Sequence, residues 1–146
     1  MTQRVVFLDR QSVKANVRRP RCAQTYVEYD KTAPDQVVER LRDATVAIVN
    51  KVVLREPTLA QLPKLKLIAM AATGYDCIDV ESCRRRGIAV SNIRNYAVHT
   101  VPEHVFMMVL ALRRNLLAYR HDVEHGVWQR SEQFCFLTHS IGDLFG

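Results

Sequence analysis

The chain has 146 residues, 48% of them hydrophobic and 25% charged, with a formal net charge of +6. That is long enough for one domain with a real core and ordinary for a soluble globular protein. The longest uninterrupted apolar run, Val105 to Leu112, is far too short to span a bilayer, so no membrane partner is expected. The basic residues are scattered apart from Arg18-Arg19-Pro20-Arg21 and Arg84-Arg85-Arg86. Such a balance permits an anionic ligand without establishing one, and no nucleic-acid partner is expected. The four cysteines, Cys22, Cys77, Cys83 and Cys135, lack CxxC spacing, and no secretory signal pattern opens the chain. Free thiols and a cytoplasmic location are the expectation.

In chain order, Val5-Val6-Phe7-Leu8 reads as a buried strand and Tyr26-Val27-Glu28-Tyr29 as a second. Pro34-Asp35 opens a helix to about Arg42, striped by Val37, Val38 and Leu41. Val46-Ala47-Ile48-Val49 is a third strand and ends in Asn50-Lys51. A short helix over 57–62, a strand over Leu67 to Met70, a helix from Asp79 to Arg86 and a last strand, Ile88-Ala89-Val90, follow. Asp79 is the expected N-cap and Gly87 the stop. Apolar strands alternating with helices imply a parallel sheet covered on both faces. The predicted fold is therefore α/β: a flavodoxin-like doubly wound parallel sheet of about five strands.

The loop Ala71-Ala72-Thr73-Gly74-Tyr75-Asp76-Cys77-Ile78-Asp79 leaves a strand and enters a helix. Small residues and a glycine there uncover backbone N–H groups, and the next helix adds its positive end. The same pattern also serves as a plain strand-to-helix turn that binds nothing. Ligands of such sheets bind at the carboxyl ends of the strands, where both Asn50-Lys51 and Thr73-Gly74 lie.

Val101 to about Glu124 reads as one long helix, with Pro102 and Glu103 in its first turn and Thr100 as cap. The run Val105 to Leu112 is apolar around the whole circumference, so burial on all sides is expected. A small domain covers one face at most, and the other needs another domain or subunit. Further on, His121-Asp122-Val123-Glu124-His125 matches H-x-x-E-H, with histidines at i and i+4 able to share a zinc ion. A third protein ligand would have to come from Glu132, Cys135, His139 or Asp143, and a chance match on an exposed helix end is the preferred reading, so no metal is expected.

Three segments together carry a resemblance. The Ala71 to Asp79 loop resembles the A-G-x-G-x-D-x-h-D loop of the D-isomer-specific 2-hydroxyacid dehydrogenases. Gly87-Ile88-Ala89-Val90-Ser91-Asn92 looks like that family's next strand. Asn95-Tyr96-Ala97-Val98-His99-Thr100-Val101-Pro102-Glu103-His104-Val105, with Leu112-Arg113-Arg114-Asn115, is similar to its hinge-helix start, although Pro102 replaces the usual alanine. Asp143-Leu144-Phe145-Gly146 resembles the segment before the family's nucleotide-binding strand. Within the family, the chain looks most like the hydroxypyruvate (glycerate) reductases.

The resemblance implies a two-domain oxidoreductase that interconverts 2-oxoacids and D-2-hydroxyacids with NAD or NADP. It implies that backbone N–H groups of Thr73 and Gly74, with Lys51 nearby, hold the substrate carboxylate. Thr73 and Thr100 become cofactor-side candidates. Residues 1–100 would be the N-terminal part of the substrate-binding domain. Residues 101–146 would be a hinge helix and dimerisation arm, forming a homodimer through the 101–124 helix. No G-x-G-x-x-G occurs, and the family's substrate-binding Arg, acidic partner and acid–base His have no counterpart here. The expectation is a chain lacking the cofactor domain, catalytically inactive and cofactor-free by itself. The alternatives are a non-catalytic carboxylate-binding module, a dimerisation module that pairs with a full-length relative, and a zinc peptidase fragment.

Overall fold

The computed structural model describes residues 3–142. The Asp143 to Gly146 resemblance therefore lies outside the described residues. The chain divides into two compact units, one running to Asn95 and the other starting at Tyr96.

The first unit is a five-stranded parallel sheet. Its strands are β1 (Arg4–Phe7), β2 (Thr25–Glu28), β3 (Val46–Val49), β4 (Leu67–Met70) and β5 (Ala89–Ser91), in the order β2-β1-β3-β4-β5. Between them run the short helices α1 (Val37–Leu41), α2 (Glu56–Leu59) and α3 (Val80–Arg85). The expected helix over 34–42 divides: Pro34–Gln36 is a 3-10 turn, and α1 begins only at Val37. Asp79 caps α3 by accepting the Ser82 N–H at 2.9 Å. Gly87 terminates it at φ +67°, a conformation that glycine adopts without steric cost.

The register Val46↔Leu67 to Val49↔Met70 aligns β3 and β4, so Ala47, Val49, Ile68 and Met70 all enter one core with Val6, Leu8, Leu41 and Leu54. Their neighbours Val46, Ile48, Leu67 and Ala69 are only half-buried. The chain thus covers one face of these two strands fully and the other in part, whereas apolar composition alone predicts full cover on both.

The second unit is helical, with α4 (Thr100–Arg113), α5 (Leu116–Glu124) and α6 (Val127–Arg130). The single helix expected over 101–124 is corrected to two. Asn115 takes a left-handed backbone (φ 49°, ψ 40°) that its short polar side chain tolerates, and the ladder breaks there. Thr100 is not the cap: it is already helical, and His99 precedes it without a side-chain capping bond. The expected burial is not met within the chain either, since no residue of α4 or α5 is buried. Residues 131–142 fold back on α5. Asp122 accepts hydrogen bonds from Thr138 Oγ1 at 2.7 Å and pairs with His139 Nε2 at 2.8 Å, and Phe136 meets the Tyr119 ring edge-on.

Candidate functional site

The strand order reverses between β1 and β3, which opens a crevice at their carboxyl ends. Asp9, two residues beyond β1, organises it. Its carboxylate is buried and accepts the backbone N–H of Asn50 at 2.9 Å, of Lys51 at 2.5 Å and of Val52 at 3.3 Å. Ser12 Oγ donates to the Asp9 carbonyl at 2.6 Å, and Asn50 Nδ2 donates to Ser12 Oγ at 3.0 Å. The turn after β3 is thus an anion nest filled by the chain's own carboxylate. Sequence reasoning missed Asp9. The available signal was an acidic residue directly after a buried apolar strand, a place where a carboxylate stays only if its oxygens find donors.

The nest leaves the Lys51 side chain exposed, and its ammonium has no ion-pair partner among the described residues. Burial pushes the Cys77 thiol pKa up; the Asp9 carboxylate adds to this, while Arg55 and Lys51 oppose it. The loop after β4 and the turn after β3 therefore share one electrostatic neighbourhood.

In the β4–α3 loop five carbonyls are committed, whereas the N–H groups of Thr73 and Gly74 are not. The carbonyl of Ala72 accepts from Ile93 N at 3.1 Å, and that of Thr73 from Asn92 Nδ2 at 2.8 Å. The carbonyl of Tyr75 accepts from Ile78 N at 2.9 Å, that of Asp76 from Arg55 Nη2 at 2.8 Å and that of Cys77 from Leu54 N at 2.9 Å. Among the described residues, the N–H groups of Thr73 and Gly74 donate to nothing, and both residues are exposed. Gly74 needs no special backbone conformation, and a Cβ there would meet only Asp76 Oδ2, at 3.6 Å. Neither packing nor strain within the chain requires this glycine. A glycine does let a ligand approach the backbone closely.

Of the expected site residues, Lys51, Thr73 and Gly74 all lie at the carboxyl edge of the sheet, after the paired strands β3 and β4. Thr73 Oγ1 donates to the Ile93 carbonyl at 2.9 Å, so its proton is already engaged. Thr100 belongs to the second unit, in the first turn of α4. Among the described residues no strand leads through a G-x-G-x-x-G turn into a helix, so they do not fit a dinucleotide pyrophosphate. The H-x-x-E-H residues do not build a metal centre. His125 Nδ1 lies 2.7 Å from the His121 carbonyl, and Glu124 is paired with Arg120 at 2.7 Å. Among the described residues no group of three metal-binding side chains converges, and no helix is long and apolar enough to cross a membrane.

Residues 5–141 match the family model for the D-isomer specific 2-hydroxyacid dehydrogenase, catalytic domain. The chain is 50% identical over its whole length to a glycerate dehydrogenase of Methylorubrum extorquens, covering 47% of that protein. It is 39% identical over 98% of its length to a putative 2-hydroxyacid dehydrogenase of Haemophilus influenzae, covering 46% of it. The chain thus spans about half the length of these curated relatives. Among solved structures, an acyclic imino acid reductase in complex with NADPH and D-Arg matches with TM-score 0.71 at 21% identity, over 93% of this chain and 43% of that one. At that identity the match speaks for the fold alone. With the model covering nearly every residue and a half-identical relative along the full length, the chain belongs to the D-isomer-specific 2-hydroxyacid dehydrogenase family.

Proposed function

We propose that this chain forms the carboxylate-holding wall of an NAD(P)-dependent oxidoreductase that interconverts 2-oxoacids and D-2-hydroxyacids. The observation that carries this is the β4–α3 loop, with five carbonyls tied back and the N–H groups of Thr73 and Gly74 open. Two such donors to a carboxylate are charge-assisted hydrogen bonds, worth about 1.5–3 kcal/mol each. The Lys51 ammonium adds attraction from the neighbouring turn, and Asp9 fixes that turn. The absence of a side chain at Gly74 brings the substrate against the backbone, so that its carbonyl carbon stands clear of the sheet edge.

Hydride transfer is the chemistry of the nicotinamide; Thr73 and Thr100 are placed on the cofactor side, and no G-x-G-x-x-G turn among the described residues would hold the dinucleotide's pyrophosphate. Hydride delivery and protonation of the carbonyl oxygen are therefore assigned to other parts of the enzyme. The 146-residue chain alone binds and orients its substrate without turning it over. The carboxylate-binding role belongs to the first unit, and the dimerisation role belongs to α4 and α5. The exposed apolar side chains of Phe106, Met107, Leu110 and Leu112 support a homodimer through the 101–124 region. Relatives named glycerate dehydrogenase and hydroxypyruvate reductase support small 2-oxoacids such as hydroxypyruvate as substrates.

Isothermal titration and amide chemical-shift mapping with hydroxypyruvate and glyoxylate test the reading. Saturable shifts are expected at Thr73 and Gly74, with no consumption of NADH by the chain. Absence of binding at that loop refutes the wall, and turnover by the 146 residues refutes the assignment of catalysis elsewhere.

A further inference from the structure

A groove of about 660 Å³ opens at the carboxyl ends of β1, β2 and β3, at the point where the strand order reverses. Its volume lies within the roughly 300–1,000 Å³ of ordinary small-molecule sites. No residue of the β4–α3 loop lines it. Its apolar part comes from Pro34, Val37, Val52 and Val53; Val37 is buried, whereas Val53 is 52% exposed and stays uncovered among the described residues. Three lysines, Lys14, Lys31 and Lys51, stand around it, and none has an ion-pair partner among the described residues. The opposing carboxylates are Asp9 and Asp30. That of Asp9 keeps its formal negative charge while accepting three backbone N–H groups.

We propose that this groove is a binding site for an organic monocarboxylate with an apolar body, separate from the Thr73–Gly74 loop. Charge complementarity selects the occupant. Three ammoniums against two carboxylates leave one uncompensated positive charge, which a monoanion neutralises and a dianion overshoots. The valines call for an apolar body behind that charge, because a bare inorganic ion would leave them facing water. Lysine ammoniums on flexible stems meet a carboxylate as point charges, and no planar fork is required. The site stands whether or not Thr73 and Gly74 hold a substrate, and Lys51 is the one residue common to both.

The test is an amide chemical-shift titration of the 146-residue chain with three probes of one shape: benzoate, phenyl phosphate and benzyl alcohol. Benzoate is expected to shift Lys14, Lys31, Val52 and Val53 and to bind more tightly than either other probe. Replacing both outer lysines (Lys14→Ala with Lys31→Ala), which are exposed, weakens benzoate roughly fivefold or more. Val53→Asp, which puts a like charge on the apolar wall, abolishes the shifts while leaving the rest of the spectrum in place. Gly74→Ala leaves benzoate affinity unchanged. Tighter binding of phenyl phosphate overturns the choice of a monocarboxylate. Equal binding of benzyl alcohol removes the role of the lysines. Shifts confined to Thr73 and Gly74, or no shifts at all, overturn the site.

Discussion

The carboxylate of Asp9, beyond β1, accepts the backbone N–H of Lys51, beyond β3, at 2.5 Å. The two residues are 42 positions apart, and neither lies in a regular element. This bond, with those to Asn50 and Val52, fixes the direction in which the Lys51 side chain leaves the sheet.

Removing that carboxylate should therefore damage stability before it touches any ligand. Asp9→Ala leaves the N–H groups of Asn50, Lys51 and Val52 without their acceptor in a partly buried place, a cost of about 1–3 kcal/mol. Asp9→Asn keeps one oxygen and should fall between. Urea unfolding measures both, and an Ala variant as stable as the parent would contradict the role given to the nest.

Gly74 should behave in the opposite way. A Cβ at this position meets only Asp76 Oδ2 at 3.6 Å, so Gly74→Ala should change stability by no more than about 0.5 kcal/mol. Hydroxypyruvate affinity should fall roughly tenfold or more, because one charge-assisted hydrogen bond is lost. Unfolding and titration run side by side separate the two effects. An Ala variant that binds as the parent does would sink the close-approach argument.

Glu56 gives a pH prediction with a definite sign. Arg86, at 2.5 Å, and the Ser82 hydroxyl hold its carboxyl at about 2, from an ordinary 4.5. A folded-state value lowered in this way contributes stability that is present above pH 4.5 and lost as the pH falls toward 2. In Glu56→Gln the stability should decline less over that window than in the parent. Urea midpoints measured between pH 5 and pH 2 for both proteins check this, and parallel curves would refute it.

For the second unit the prediction concerns association. Phe106 is 62% and Leu112 72% exposed in the single chain. If α4 is the dimer surface, Phe106→Glu should weaken self-association by at least about tenfold, since burying one such side chain is worth about 1.5–3 kcal/mol. Light scattering across a dilution series reads the change. A parent chain that stays monomeric at every concentration would dismiss the homodimer.

The parallel sheet was legible because its strands are short, apolar and punctuated by Pro34, Asp79 and Gly87, each of which acts locally. Residues whose role depends on distant partners were not. Asp9 after an apolar run reads as an ordinary turn residue, since its three donors lie more than forty positions away. The break at Asn115 was hidden because the apolar spacing resumes immediately at Leu116 and Leu117. Only the left-handed backbone at Asn115 divides the helices, a conformation that Asn tolerates better than most residues with a side chain. Thr73 and Gly74 were found from their small size and position. The tied-back carbonyls beside them are a tertiary fact, carried by Asn92, Arg55 and Leu54.

Those carbonyls also decide what the loop turns away. Ala72, Thr73, Asp76 and Cys77 have each engaged an oxygen with another part of the chain, and Tyr75 with Ile78 of the loop itself. A cation arriving at the open side of Thr73 and Gly74 meets the positive ends of peptide dipoles, with those oxygens already occupied. Under the proposed role, an amine of the same size and shape as a 2-oxoacid would therefore find these five carbonyls already bonded where the acid finds two open donors.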